Sequence, residues 1–105
     1  MLAAAVGLGV CVAGITAAER RGPKKHTVTI EGMRFQPEQL TVAAGDTIVW
    51  TNKDLVPHTV TSEAGRFDSR TIQAEKSWTF TARQQGEFPY VCTFHPTMKA
   101  TLNVQ

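Results

Sequence analysis

The sequence predicts an all-β chain, an antiparallel Greek-key sandwich or barrel of seven or eight short strands. Three observations predict it. Apolar and polar residues alternate with a period of two along most of the chain, the pattern of strands with one buried face. Turn signals separate the alternating runs at short intervals. No stretch keeps apolar residues at i, i+3, i+4 and i+7 long enough for a helix.

In chain order the alternating runs are residues 26–30, 39–43, 47–51, 58–61, 77–81, 88–92 and 99–104, all rich in Thr, Val and aromatic side chains. Between them stand Glu31-Gly32, Ala44-Gly45-Asp46, Lys53-Asp54, Ala64-Gly65 and Gln85-Gly86, each a turn signal. The sixth run places Phe88, Tyr90 and Cys92 on one face. If the aromatic rings pack inward, the thiol points inward too, at the strand end and next to the following loop. There is no internal repeat and no low-complexity tract.

The segment before these runs has a different character. Residues 1–18 carry no charge, and Glu19 is the first ionisable side chain. Thr16-Ala17-Ala18 offers the small residues that a signal peptidase requires, so the segment reads as a secretory leader cut at Ala18/Glu19. No Lys or Arg precedes the apolar run, which leaves an uncleaved N-terminal anchor as the other reading. A lipoprotein reading through Leu8-Gly9-Val10-Cys11 is weaker, because Val10 is bulky where a small residue is needed. Residues 19–25 then form a polar connector with Arg20, Arg21, Lys24 and Lys25 solvated, and residues 26–105 form one domain. The expected location is periplasmic or otherwise extracytoplasmic, with membrane contact only through an uncleaved leader.

Composition removes most function classes. The 105 residues suffice for one domain, and 42% hydrophobic with 19% charged residues describes a folded chain. The net charge of +2 is scattered, which disfavours a nucleic-acid binder, since one of this size needs a basic face. Two cysteines cannot build a disulfide framework or a four-thiolate zinc or iron–sulfur site. No Gly-rich phosphate loop or Ser/His/Asp spacing is present. After leader removal Cys92 is a lone thiol in an oxidising compartment, a liability that metal coordination would relieve.

The segment Cys92-Thr93-Phe94-His95-Pro96-Thr97-Met98 puts a thiolate, an imidazole and a thioether within one loop. A second imidazole, His58, follows Pro57 at the start of an earlier strand. Two His, one Cys and a weak axial Met form the set that suits copper in electron transfer, because soft sulfur favours Cu(I) while imidazole serves both oxidation states. A buried Cys alone is most often a small hydrophobe, and a lone His95 or Met98 is most often a turn or core residue. The joint spacing C-x₂-H-x₂-M, after an aromatic strand and an upstream Pro-His, carries the metal reading. His26 has no ligand partner in sequence and reads as a surface residue. Met33 reads as core or as rim around the site.

With these residues in view, the chain from His26 to Gln105 resembles the cupredoxins, the small blue-copper proteins that include plastocyanin, pseudoazurin and amicyanin. The short loop between Cys92 and Met98 is most similar to that of amicyanin. Pro57-His58, Gly45-Asp46-Thr47 before Trp50, and Gly86-Glu87-Phe88-Pro89-Tyr90 also fit. The resemblance implies one type 1 copper ion held by His58, Cys92, His95 and Met98. Thr59 stands where better-known members carry an Asn that ties the ligand loops together, and its hydroxyl is the candidate for that work. Phe94 and Thr97 differ from the Pro and Phe of amicyanin, so the partner surface is not carried over.

The expected function is one-electron transfer by a monomer, without enzymatic activity. Its redox partners would be of the c-type cytochrome or periplasmic dehydrogenase class, as the resemblance implies. Copper storage or delivery by the same four residues is the alternative. A second catalytic copper is not expected, since the neighbours of Cys92 are Val91 and Thr93, neither a ligand.

Overall fold

The computed structural model describes residues 22–105. The expected leader and the first three residues of the connector, with Cys11 and the Ala18/Glu19 cut, lie outside the described residues. Eight strands follow: β1 (Lys25–Ile30), β2 (Phe35–Gln36), β3 (Gln39–Val42), β4 (Thr47–Asn52), β5 (Thr61–Ser62), β6 (Ser77–Thr81), β7 (Gly86–Cys92) and β8 (His95–Val104). Among the described residues there is no helix. The strands form two four-stranded sheets, ordered β2-β1-β4-β6 and β3-β8-β7-β5.

The pairing is mixed, which corrects the expectation of a purely antiparallel sandwich. β1 runs parallel to β4 and β3 runs parallel to β8, while the other pairs are antiparallel. The chain leaves the first sheet after β2, enters the second as β3, and returns as β4 in the direction of β1. Crossovers of this kind make a Greek-key sandwich from short connections. Alternation sets the buried face as expected: in β4, Ile48, Trp50 and Asn52 are buried while Thr47, Val49 and Thr51 are half-buried.

Three local features depart from the alternation. Phe35–Gln36 is too short for a periodic signal, yet Phe35 is buried and its ring lies 4.8 Å from that of Tyr90. The run 58–61 forms a strand only at Thr61–Ser62, because its first half pairs with a covering loop. There His58 exchanges backbone hydrogen bonds with Ile72, and the Val60 amide donates to the Ser69 hydroxyl at 2.7 Å. Finally β8 begins at His95, four residues before the expected run.

Aromatic side chains join the sheets. The indole N–H of Trp50, on the first sheet, donates to the phenol oxygen of Tyr90, on the second, at 3.1 Å. Their rings stand perpendicular at 5.7 Å, an edge-to-face contact that adds about 0.5–1.5 kcal/mol beyond burial. Burial pushes the Tyr90 phenol up to about 12, although the Trp50 hydrogen bond opposes the rise. Phe67, from the covering loop, closes the cluster with its ring 4.8 Å from Phe80.

Away from the ligand loop, Asp46 gathers the start of the domain. One carboxylate oxygen accepts the Lys24 amide at 2.8 Å, and the other accepts the Ala43 amide at 3.0 Å and faces His26 Nε2 at 2.9 Å. His26 is therefore a half-buried partner of Asp46 rather than a free surface residue. Burial raises the Asp46 pKa, but the His26 and backbone hydrogen bonds outweigh it and hold the carboxyl at about 2, below 3.8. A depressed carboxyl pKa stabilises the fold above the unfolded value and loses that contribution as the carboxyl protonates. Stability should thus fall as pH drops from 3.8 toward about 2. Thermal melts across that range should show this slope, and Asp46→Asn should flatten it.

Candidate metal centre

Cys92 ends β7 and His95 begins β8, and the two residues are paired partners across the tight turn at Thr93-Phe94. The ladder then jumps from Cys92↔His95 to Val91↔Lys99, so Pro96, Thr97 and Met98 are extra residues on β8. Such a bulge re-aims side chains that regular alternation would send elsewhere. Met98 is buried there, whereas Pro96 and Thr97 are exposed. His58 arrives from the other sheet, through the loop after β4.

The structure brings three of the four residues singled out by sequence to one point. Cys92 Sγ lies 3.7 Å from His58 Nδ1 and 3.6 Å from His95 Nδ1. All three donor atoms fall within 4.8 Å of one another. First-row ions bind nitrogen at about 2.0–2.1 Å and thiolate at about 2.3 Å. Those bonds separate S from N by about 3.6–3.8 Å for angles between tetrahedral and trigonal. The two observed S–N separations match, so the three side chains suit a metal ion. Met98 occupies the same loop, three residues beyond His95, as the fourth candidate.

Exposure divides the two imidazoles. His58 is fully buried, while His95 is half-buried and reaches solvent. Met33, Leu55, Val56 and Phe94 are the exposed large hydrophobic residues among those described, and Leu55 is 92% exposed. Each belongs to a segment that carries or braces a candidate ligand. Met33 is therefore rim and not core.

The most informative residue missed by sequence reasoning is Asp54. Its carboxylate lies 2.8 Å from His58 Nε2, and it also accepts the amides of Gly32 at 2.8 Å and Met33 at 3.0 Å. A carboxylate on the outer nitrogen fixes the ring tautomer, leaves Nδ1 free as a donor, and raises its basicity. Burial pushes the Asp54 carboxyl up, but the Met33 and Gly32 amides and His58 together bring it below its ordinary value. Met33 adopts φ +60, a left-handed conformation unusual for a non-glycine residue, and its amide is tied to this carboxylate. The i, i+4 spacing of Asp54 and His58 lies in a loop, where spacing alone predicts no contact.

Thr59 ties the two ligand loops. Its backbone N–H donates to Cys92 Sγ at 3.3 Å, and its hydroxyl oxygen accepts the Thr93 amide at 2.9 Å. Among the described residues no buried side-chain polar atom lacks a partner.

The Cupredoxin-like domain family matches residues 3–104 of the chain. This protein is a cupredoxin. Amicyanin-alpha from Methylorubrum extorquens is 28% identical, with 99% of this chain and 92% of that protein covered. Amicyanin from Paracoccus denitrificans is 30% identical, covering 74% of this chain. The cupredoxin spans 63% of the length of that relative and of the Paracoccus versutus amicyanin. Among solved structures, a copper(I) form of an amicyanin variant superposes with a TM-score of 0.73 at 28% identity, covering 77% of this chain and 82% of the other. The purple cupredoxin from Nitrosopumilus maritimus shares the fold, with a TM-score of 0.69 at 24% identity over 76% of this chain and 99% of the other. Family, fold and donor set agree on copper as the cofactor.

Proposed function

We propose that this cupredoxin is a one-electron carrier whose single copper would be held by His58, Cys92 and His95, with Met98 as the fourth ligand. The convergence of two imidazoles and one thiolate at metal-binding separations carries this reading. Copper bound there supplies a reversible one-electron couple, with no substrate bond made or broken. The protein does the rest. Asp54 fixes the His58 ring, the Thr59 amide donates to the thiolate, and the buried Cys92 is kept from oxidants and water. No catalytic role is proposed, since Val91 and Thr93 offer no ligands for a second metal.

Electrons would pass at the half-exposed His95. The apolar residues Leu55, Val56, Phe94 and Met33 around this end suit brief encounters with a redox protein, whose interfaces are small and dissociate quickly. A c-type cytochrome or a dehydrogenase of the same compartment is the class of partner we propose. The uncharged segment 1–18 supports an exported, periplasmic carrier.

Self-exchange between Cu(I) and Cu(II) copies, followed by NMR line broadening, tests the proposal. Exchange should be fast in the native protein. Leu55→Lys should slow it about tenfold, equivalent to ~1.4 kcal/mol at the encounter, with the absorption spectrum unchanged. Slow exchange together with rapid surrender of copper to an acceptor protein would instead establish storage or delivery.

A further inference from the structure

Thr59 does more than bridge two loops, because its hydroxyl is one link in a longer chain. Thr59 Oγ1 lies 3.1 Å from Thr93 Oγ1 and 3.0 Å from Thr61 Oγ1. The Thr61 hydroxyl in turn donates to Asp68 Oδ1 at 3.3 Å. Asp68 sits in the covering loop, opposite Thr61 in an isolated antiparallel bridge, with its side chain 49% exposed. The same carboxylate oxygen accepts the Arg70 amide at 2.8 Å, which holds it in place.

The chemistry of the last group fixes the direction of the whole chain. A carboxylate can only accept, so Thr61 must donate to Asp68. Thr61 has one hydroxyl hydrogen, so toward Thr59 it accepts, and Thr59 donates its own hydrogen to Thr61. Thr59 oxygen is then left to accept from Thr93, through both the Thr93 amide and the Thr93 hydroxyl. The hydroxyl donors all run in one sense: Thr93 to Thr59 to Thr61 to Asp68. Hydrogen bonds aligned in this way polarise one another and strengthen.

We infer that Asp68, Thr61 and Thr59 form a positioning relay that fixes the loop after Cys92 and holds the Thr59 amide against the thiolate. Asp68 is thus a positioning residue that touches no candidate ligand. Donation by the Thr59 amide withdraws electron density from Cys92 Sγ, and hydrogen bonding around this sulfur tunes the potential of such a site. Cutting the relay should loosen the Thr93 amide, lengthen the contact of the Thr59 amide with sulfur, and lower the reduction potential. The inference rests on the copper reading for the potential alone; the restraint on Thr93 stands without metal.

The test uses the full chain in four variants, Thr61→Val, Thr61→Ser, Asp68→Ala and Asp68→Asn. Hydrogen exchange of the Thr93 amide is measured on metal-free protein, and the potential and thiolate absorption on copper-loaded protein. Thr61→Val and Asp68→Ala should speed Thr93 exchange about tenfold, as expected for loss of a hydrogen bond. They should also lower the potential. Thr61→Ser and Asp68→Asn keep a hydroxyl and an accepting oxygen, so both should stay near native. Asp68→Ala lies on an exposed loop and tests the relay even if Thr61→Val does not fold. Native exchange and potential in Asp68→Ala would overturn the relay. Failure of the copper reading would show separately, as native protein without a blue band.

Discussion

Replacing Cys92 with Ser should abolish the intense blue absorption of the copper-loaded protein while leaving the metal-free domain folded. The absorption arises from charge transfer between a thiolate and the metal, and Cys92 is the single free cysteine among the described residues. A serine hydroxyl is a hard, protonated group at neutral pH and supplies neither the soft donor nor the transition. The side chains are close in size, and the Thr59 amide that reaches sulfur at 3.3 Å would find an oxygen in its place. Stability of the metal-free form should therefore change little, which thermal melting would check. Copper binding, followed by chelator competition, should weaken greatly. Retention of the blue band in Cys92→Ser would overturn the ligand assignment.

Asp54→Ala should have the second largest effect. Loss of a carboxylate behind a ligating histidine costs about 10–100-fold in metal affinity. Here the same carboxylate also holds the amides of Gly32 and Met33. Removing it leaves the His58 ring without its orienting partner and releases the left-handed turn at Met33. Asp54→Asn separates the contributions, since it keeps an accepting oxygen but loses the charge. A negative charge next to His58 favours the more positive oxidised metal, so the potential should rise in Asp54→Asn. Voltammetry measures the shift and chelator competition measures the affinity. Native affinity in Asp54→Ala would show that packing alone orients His58.

The candidate ligands are legible because they combine unusual types at unusual spacing. Cys92, His95 and Met98 fall within one loop, and Pro57-His58 follows a strand. Period-two alternation exposes the longer strands of both sheets but not the two-residue β2, and the inward face of Phe88, Tyr90 and Cys92 places the thiol. The residues that tune the centre were not legible. Asp54 reads as an ordinary turn residue, and its three partners are set by how the β1–β2 turn folds against the loop after β4. Asp68 and Thr61 look like solvent-facing polar residues until the covering loop pairs with β5. His26 was read as a surface residue because Asp46, its partner, lies 20 positions away. The parallel pairs were missed for a similar reason. Alternation reports which face of a strand is buried and says nothing about the direction of its neighbour.

His58 comes from a loop following the first sheet, and Cys92 ends a strand of the second, 34 residues later. An ion gripping both ends therefore acts as a cross-link, closing a ring that the unfolded chain would otherwise sample freely. Loading and unfolding are then opposed processes. A bound metal would serve as a rivet through the two layers, and heating the empty protein should part the layers sooner than heating the filled one.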